Sequence, residues 1–302
     1  MVDLNNLATT EARNPATTDL DAMSLVDFLT VMNQEDAKVA AAVGAALPQI
    51  AEAVTAITAA IRSGGRLVYM GAGTSGRLGL LDAVECPPTF GTSPELVLGL
   101  MAGGDNAFVR AVEGAEDSLV LAVEDLSRIG LTSQDAVVGI AASGRTPYVI
   151  GGLDYARSIG AATVSIACNT GAVVSDHADI AIEVDNGPEV LTGSTRLKAG
   201  TSQKLILNMI STACMVRLGK VFGNLMVDLL PTNEKLVARA IGIVRAATGC
   251  DDPTARQALT ESGNHAKTAI VMLLASVDAD TAKARLQDAQ GFVREAIGAT
   301  TK

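Results

Sequence analysis

The chain has 302 residues, enough for one large core or two modest ones, and a hydrophobic content of 48% that excludes a disordered chain. A net charge of −10 repels polyanions, and five Phe, three Tyr and no Trp offer few stacking platforms, so nucleic-acid binding is not expected. A phosphate bound here must be held by local geometry, which fits a small ligand better than a polymer. Cys86, Cys168, Cys214 and Cys250 show no metal spacing, and His177 and His265 stand far apart, so no metal site is expected and reduced thiols are the default. The start of the chain lacks a basic, apolar signal, and no uninterrupted apolar run reaches membrane-spanning length. The expectation is a cytoplasmic protein with no membrane partner.

The first eighteen residues are polar and read as an extended arm, in which Glu11, Arg13 and Asn14 are polar enough to reach a site; a solvated tail is the alternative. A helix is expected from about Asp19, with Leu20, Met23, Leu25, Phe28 and Leu29 on one face. Residues 35–62 read as a long Ala-rich helix, kinked near Pro48 and ended by Gly64 and Gly65. From Arg66 the pattern changes to short apolar runs alternating with helical segments, the signature of a parallel sheet wrapped by helices. Strands are expected at 67–70, 96–101, 136–141, 163–167 and 180–184, with helices near 76–83, 116–127 and 147–158 between them. A long helix over 198–220 closes this unit; its apolar stretch from Leu205 to Val221 is a candidate subunit interface. Beyond Gly223 the segments 234–244, 253–262, 265–275 and 280–299 are helical in period. The expected organisation is an N-terminal arm and helices over 1–55, an α/β ligand-binding domain over 56–222 and a small helical domain over 223–302.

Two loops follow strands and open helices. Gly71-Ala72-Gly73-Thr74-Ser75-Gly76 matches the dinucleotide pattern GxGxxG, but that fold needs a carboxylate at the end of the second strand, where Met101, Ala102, Gly103 and Gly104 stand instead. NAD becomes a minor alternative, and no Lys-Ser or Lys-Thr follows to make a Walker loop. Anion binding at a helix start remains, with Gly73, Thr74 and Ser75 as donors, against the plainer reading of a tight strand-to-helix turn. The second loop, Ala142-Ser143-Gly144-Arg145-Thr146-Pro147, repeats the Ser-Gly-Arg of residues 75–77 in the same setting. Two hydroxyl-rich turns at one end of a sheet can line one crevice. Ser143, Gly144 and Thr146 are the better phosphate holders, leaving Gly73 to Ser75 for the sugar; Arg77 and Arg145 can equally pair with helix ends. A third polar run, residues 187–198, offers Glu189, Thr192, Ser194 and Lys198 as ligand-facing groups, or else caps the long helix that follows.

Two carboxylates stand out. Glu85 lies in VECPPTFG, where Pro87 and Pro88 stiffen what reads as a turn, so its side chain is held in the fixed direction that proton transfer needs. Glu116, in VEGAEDS, reads from its position alone as a helix-start carboxylate, as do Glu113 and Asp117.

Taken together, GAGTSGRLG, DAVECPPTFG, AVEGAEDS, ASGRTPYV and GPEVLTGSTRLKAGTSQK resemble the N-acetylmuramic acid 6-phosphate etherases, which carry a sugar isomerase (SIS) domain. TEARNP and MNQEDAKVA extend the resemblance over nearly the whole chain, and it loosens past about Ser262. It implies an α/β fold of SIS type: a three-layer α/β/α unit with a five-stranded parallel sheet, N-terminal helices and a small C-terminal helical domain. It further implies a cofactor-free lyase that removes D-lactate from carbon 3 of its substrate and adds water. By similarity Glu85 protonates the departing ether oxygen and later activates water, Glu116 is the second carboxylate, a base at carbon 2, and Ser143, Gly144, Arg145 and Thr146 form the phosphate loop. Homodimers with sites near the interface are implied as well. An aldose-ketose isomerase, which needs no acid for a leaving group, and a non-catalytic sugar-phosphate sensor, which needs neither carboxylate, are the rival functions.

Overall fold

The structure is a computed structural model describing residues 9–110, 112–229 and 234–298. Residues 1–8 of the expected arm lie outside these, but its remainder is not extended: Thr9–Glu11 and Pro15–Thr17 are short 3-10 turns. Asn14 caps the second of them through its side-chain oxygen. Helix α1 (Leu25–Asp36) starts later than expected, after a further 3-10 turn, because the Ser24 hydroxyl accepts the Asp27 N–H and fixes the cap there. The single kinked helix expected over 35–62 is instead the end of α1 followed by α2 (Val39–Ala45) and α3 (Leu47–Arg62). Pro48 sits in the first turn of α3, where its missing N–H has no intrahelical partner to lose.

Five short apolar runs form the sheet, as the sequence leads one to expect: β1 (Leu67–Gly71), β2 (Val97–Met101), β3 (Ala136–Ala141), β4 (Ala162–Ala167) and β5 (Ile180–Glu183). All pairs are parallel, in the order β2-β1-β3-β4-β5. The central strands β1 and β3 are buried at every position, whereas the edge strand β5 buries only Ile180 and Ile182 of its four residues. Continuous burial requires cover on both faces. Helices α6 (Leu121–Arg128) and α7 (Pro147–Ser158) cover one, where Leu126, Tyr148, Val149 and Leu153 pack with Val68, Met70 and Val137. On the other face α4 (Gly73–Phe90) brings Gly79 against Tyr69. A short α5 (Asn106–Val109) and the long α8 (Lys198–Arg217) complete this series. At the amino edge Asp135, buried before β3, accepts bonds from the Arg66 backbone N–H and from Nε and Nη2 of its guanidinium. That pairing levels the starts of β1 and β3.

The strand order reverses between β1 and β3, which follow opposite directions along the sheet from there. At such a point the loops leaving the two strands diverge and open a crevice beyond their carboxyl ends. Gly71 pairs with Ile140 at this edge, so the two Ser-Gly-Arg loops emerge side by side.

The chain folds as two compact units, one from Met1–Val84 with Glu95–Ser211, the other from Glu85–Pro94 with Thr212–Lys302. The second contains a two-strand antiparallel hairpin, β6 (Val221–Phe222) and β7 (Leu225–Met226), and helices α9 (Glu234–Thr248), α10 (Asp252–Glu261), α11 (Ala266–Ala275), α12 (Ala279–Asp288) and α13 (Val293–Ala296). The terminal helix expected over 280–299 is thus two, and residue 299 lies outside the described residues. Ile270 and Val271 of α11 are fully buried among Ile241, Val244, Leu259 and Leu286. A buried ionic cluster underlies them: Lys267 Nζ lies 2.6 Å from Asp228 Oδ2 and donates to the Gly219 carbonyl, with Lys220 at 3.2 Å from the same carboxylate. Burial would raise the Asp228 carboxyl, but His265 and the two lysines hold it below its ordinary range. Gly91, at φ +61°, rests directly on this loop. A Cβ there would stand 2.2 Å from the Asp228 carbonyl oxygen, so only glycine fits.

Candidate active site

The first unit supplies the crevice. After β1, Gly73 is exposed, Thr74 half-buried and Ser75 buried, its hydroxyl donating to Gln203 Oε1 at 3.0 Å. Gln203 was not foreseen, because it lies on α8, far away in sequence. Arg77 pairs with a helix end: its Nε and Nη2 donate to the carbonyls of Phe108 and Ala107 in α5.

After β3, Gly144 is buried at φ +71°, and a Cβ there would press to 2.5 Å on the Ala172 Cβ. The left-handed turn it permits sends the chain into α7 with Thr146 as the cap residue. Thr146 makes no side-chain bond to the helix; its hydroxyl donates to Glu116 Oε1 at 3.2 Å. The Glu116 carbonyl in turn accepts the Tyr148 N–H at 3.0 Å. Glu116 therefore caps no helix of its own, since α6 begins only at Leu121; it is tied to Thr146 at the end of the loop and to Tyr148 in the first turn of α7. Its side chain and Gly73 line one cavity of about 280 Å³, together with Arg77, Glu113 and Asp117. The sequence could not pair Glu116 with Thr146, and the fold does. Within the loop Ser143 is half-buried and Arg145 exposed.

The third polar run is spent mainly on the start of α8. Both oxygens of Glu189, a residue only 1% exposed, accept backbone N–H groups, Lys198 at 3.0 Å and Ala199 at 2.9 Å. A carboxylate at a helix start complements orphan donors and dipole. Burial nevertheless pushes its carboxyl above the ordinary range, against those two bonds. Lys198, also 1% exposed, donates to Glu35 Oε2 at 2.6 Å and to the Asn186 carbonyl at 2.8 Å. Thr192 is exposed and Ser194 half-buried. Of the four residues in this run, the two hydroxyls are thus the ones left with accessible surface.

Glu85 belongs to the second unit. The rigid turn expected around it is helix: α4 runs on through Pro87 and Pro88 to Phe90. The two prolines leave the Ala83 and Val84 carbonyls without the N–H groups that residues 87 and 88 would otherwise supply, and the Gly91 N–H closes the end on the Pro87 carbonyl. Glu85 is exposed and Cys86 buried.

Among the described residues no cluster of His, Cys, Asp and Glu could hold a metal ion. No single helix among them is long and apolar enough to cross a membrane.

Family models named "Glucokinase regulatory protein N-terminal SIS domain" and "SIS domain" match residues 49–157 and 119–213. Among solved structures, a phosphoheptose isomerase from Francisella tularensis superposes with a TM-score of 0.52 at 16% identity, covering 64% of this chain and 100% of that one, a likeness of fold. An N-acetylmuramic acid 6-phosphate etherase of Mycolicibacterium smegmatis is 61% identical over 99% of this chain and 100% of its own length. One from an Exiguobacterium species is 60% identical over 97% of this chain and 100% of its own. Identity at that level along the whole length leaves no element of the fold unmatched, and the chain belongs to the N-acetylmuramic acid 6-phosphate etherase family.

Proposed function

We propose that this chain is an N-acetylmuramic acid 6-phosphate etherase, a carbon–oxygen lyase that releases D-lactate from its substrate and leaves N-acetylglucosamine 6-phosphate. The observation that carries the reading beyond family membership is the Thr146–Glu116 hydrogen bond, which sets a carboxylate at the edge of a glycine-containing loop at a helix start. Backbone N–H groups of Ser143, Arg145 and Thr146 hold the phosphate, aided by the helix dipole, while the Gly144 N–H is bonded to the Ala141 carbonyl. Gly73 to Ser75 face the sugar, and Thr192 and Ser194 border it.

In the open-chain aldehyde the carbon-2 proton is acidic. Glu116 removes it; the carbon 3–oxygen bond breaks; Glu85 protonates the departing oxygen, giving lactate and an unsaturated aldehyde. Glu85, now a carboxylate, takes a proton from water as its oxygen adds to carbon 3, and Glu116 returns a proton to carbon 2. The functional assembly is a homodimer with sites near the interface. Support comes from α1, which leaves Leu25, Val26 and Leu29 exposed, a face larger than an isolated helix needs to show. Helix α8 is a weaker interface candidate, since Ile206, Leu207 and Ile210 are already buried within the chain. Four cysteines outside any disulfide and a phosphorylated substrate accord with a cytoplasmic role in recovering cell-wall amino sugars.

The test is incubation with N-acetylmuramic acid 6-phosphate in ¹⁸O-labelled water. D-lactate and one label on carbon 3 of the product are expected. An absence of lactate would overturn the function, and lactate with an unlabelled sugar would overturn the water-addition step.

A further inference from the structure

The arm before α1 reaches the carboxyl edge of the sheet at three places. The Thr10 N–H donates to Asn169 Oδ1 at 3.1 Å, and Asn169 Nδ2 donates both to Thr10 Oγ1 at 3.2 Å and to the Ala142 carbonyl at 3.1 Å. Asn14 Nδ2 donates to the Pro188 carbonyl at 3.1 Å, and the Thr17 hydroxyl to the Val190 carbonyl at 2.8 Å. Thr10, Asn14, Thr17 and Asn169 are all buried. A polar arm that merely trailed in solvent would bury none of them.

What the Asn169 amide grips decides what the arm is for. The Ala142 carbonyl and the Ser143 N–H belong to one rigid, trans peptide plane and point in opposite directions. Fixing the carbonyl on Asn169 Nδ2, with a second bond from the Cys168 N–H at 3.0 Å, therefore aims the Ser143 N–H away from β4. The next plane but one is set in the same manner, since the Gly144 carbonyl accepts the Val174 N–H and so orients the N–H of Arg145. An anion-binding loop works only if its N–H groups converge, so their aim is the property that matters.

We infer that Thr10 and Asn169 are positioning residues for the phosphate loop: the arm holds the Asn169 amide, and that amide aims the Ser143 N–H at the ligand. The inference rests on the proposed assignment of Ser143 to Thr146 as phosphate holders. Neither side chain touches substrate, so both act on affinity and leave the chemical step alone.

Thr10→Val keeps the N–H bond and the shape but removes the acceptor for Asn169 Nδ2, whereas Thr10→Ser restores it. Thr10→Val is expected to raise KM for N-acetylmuramic acid 6-phosphate and Kd for inorganic phosphate by about fivefold to tenfold, with kcat changed by less than about twofold. Thr10→Ser returns both constants to the parent values, and Asn169→Ala weakens both by about 10–100-fold. If Asn169→Ala does not fold, the Thr10 pair carries the test alone. Unchanged KM and phosphate Kd in Thr10→Val, or a drop in kcat and Tm with KM untouched, would overturn the inference. Phosphate binding measured by calorimetry needs no turnover. A parent protein that releases no lactate while the variants still shift phosphate Kd would sink the function and leave the positioning role standing.

Discussion

Glu85→Gln should leave the protein folded and lower the rate of lactate release by about 10²–10⁴-fold, the usual worth of a positioned acid or base. The fold is spared because Glu85 is exposed on α4 and the amide is its isostere. The chemistry is not spared, because an ether oxygen leaving carbon 3 without a proton is a poor leaving group. The partner carboxylate separates the two roles. Glu116→Gln keeps an oxygen to accept the Thr146 hydroxyl, so the loop survives while the base is lost. In deuterated water Glu85→Gln should still exchange the carbon-2 proton with solvent, and Glu116→Gln should neither exchange it nor release lactate. Near-parental turnover in Glu85→Gln would remove it from the mechanism, and retained exchange in Glu116→Gln would remove that glutamate as the base.

Glu35→Leu is expected to destabilise the protein by about 3–5 kcal/mol, because it leaves the Lys198 ammonium buried without its counter-ion. Lys198 is 1% exposed and, among the described residues, its Nζ has only the Asn186 carbonyl besides Glu35, so water cannot take over the charge. The double variant Glu35→Leu/Lys198→Met should recover most of the loss, since two apolar side chains of similar volume need no counter-ions. Urea unfolding with circular dichroism measures both, and a single variant as stable as the parent would show the pair to be dispensable. The pair also predicts a pH dependence. Burial would raise the Glu35 carboxyl, but hydrogen bonds from Lys198 and Lys38 outweigh it and hold the group below its ordinary value. A folded value below the unfolded one means the unfolded chain binds the proton first. The contribution is therefore complete above the unfolded glutamate range and is lost as pH falls through the folded value. In the Glu35→Leu variant that acid-side loss should be smaller.

The parts of the fold that the sequence announces are those fixed by local pattern. Runs such as LVYMG and AVVGIA are too short for helices and too apolar for loops, and Pro147 marks its helix start because a first turn needs no N–H. Where the reading departs from the structure, distant partners decide. Lys198 looks ligand-facing in a polar run and is instead drawn inward by Glu35, which lies on α1. Glu189 looks the same and is consumed by the two N–H groups at the start of α8. Glu116 carries no local sign of Thr146, since only the path of the chain between β2 and β3 brings them together. Pro87 and Pro88 read as the end of a helix, yet α4 carries both and ends at Phe90, directly before the Gly91 that rests on the Asp228 loop. Asn169 was within reach: a polar residue directly after a parallel strand stands at the ligand-facing edge, and Cys168-Asn169-Thr170 follows β4 in that way.

The fit of Gly91 against the Asp228 carbonyl bears on how the protein is made. A nascent chain leaves the ribosome amino end first, so Glu85–Pro94 emerges long before Asp228, Lys267 and the helices that form its unit. Until those arrive, Gly91 has no surface to settle on, and the end of α4 lacks the contact that fixes it. Contacts between such distant segments close late, after local helices and neighbouring strands. A half-made chain thus carries the Ser143–Thr146 loop before it carries an ordered setting for Glu85, which is among the last features to be put in place.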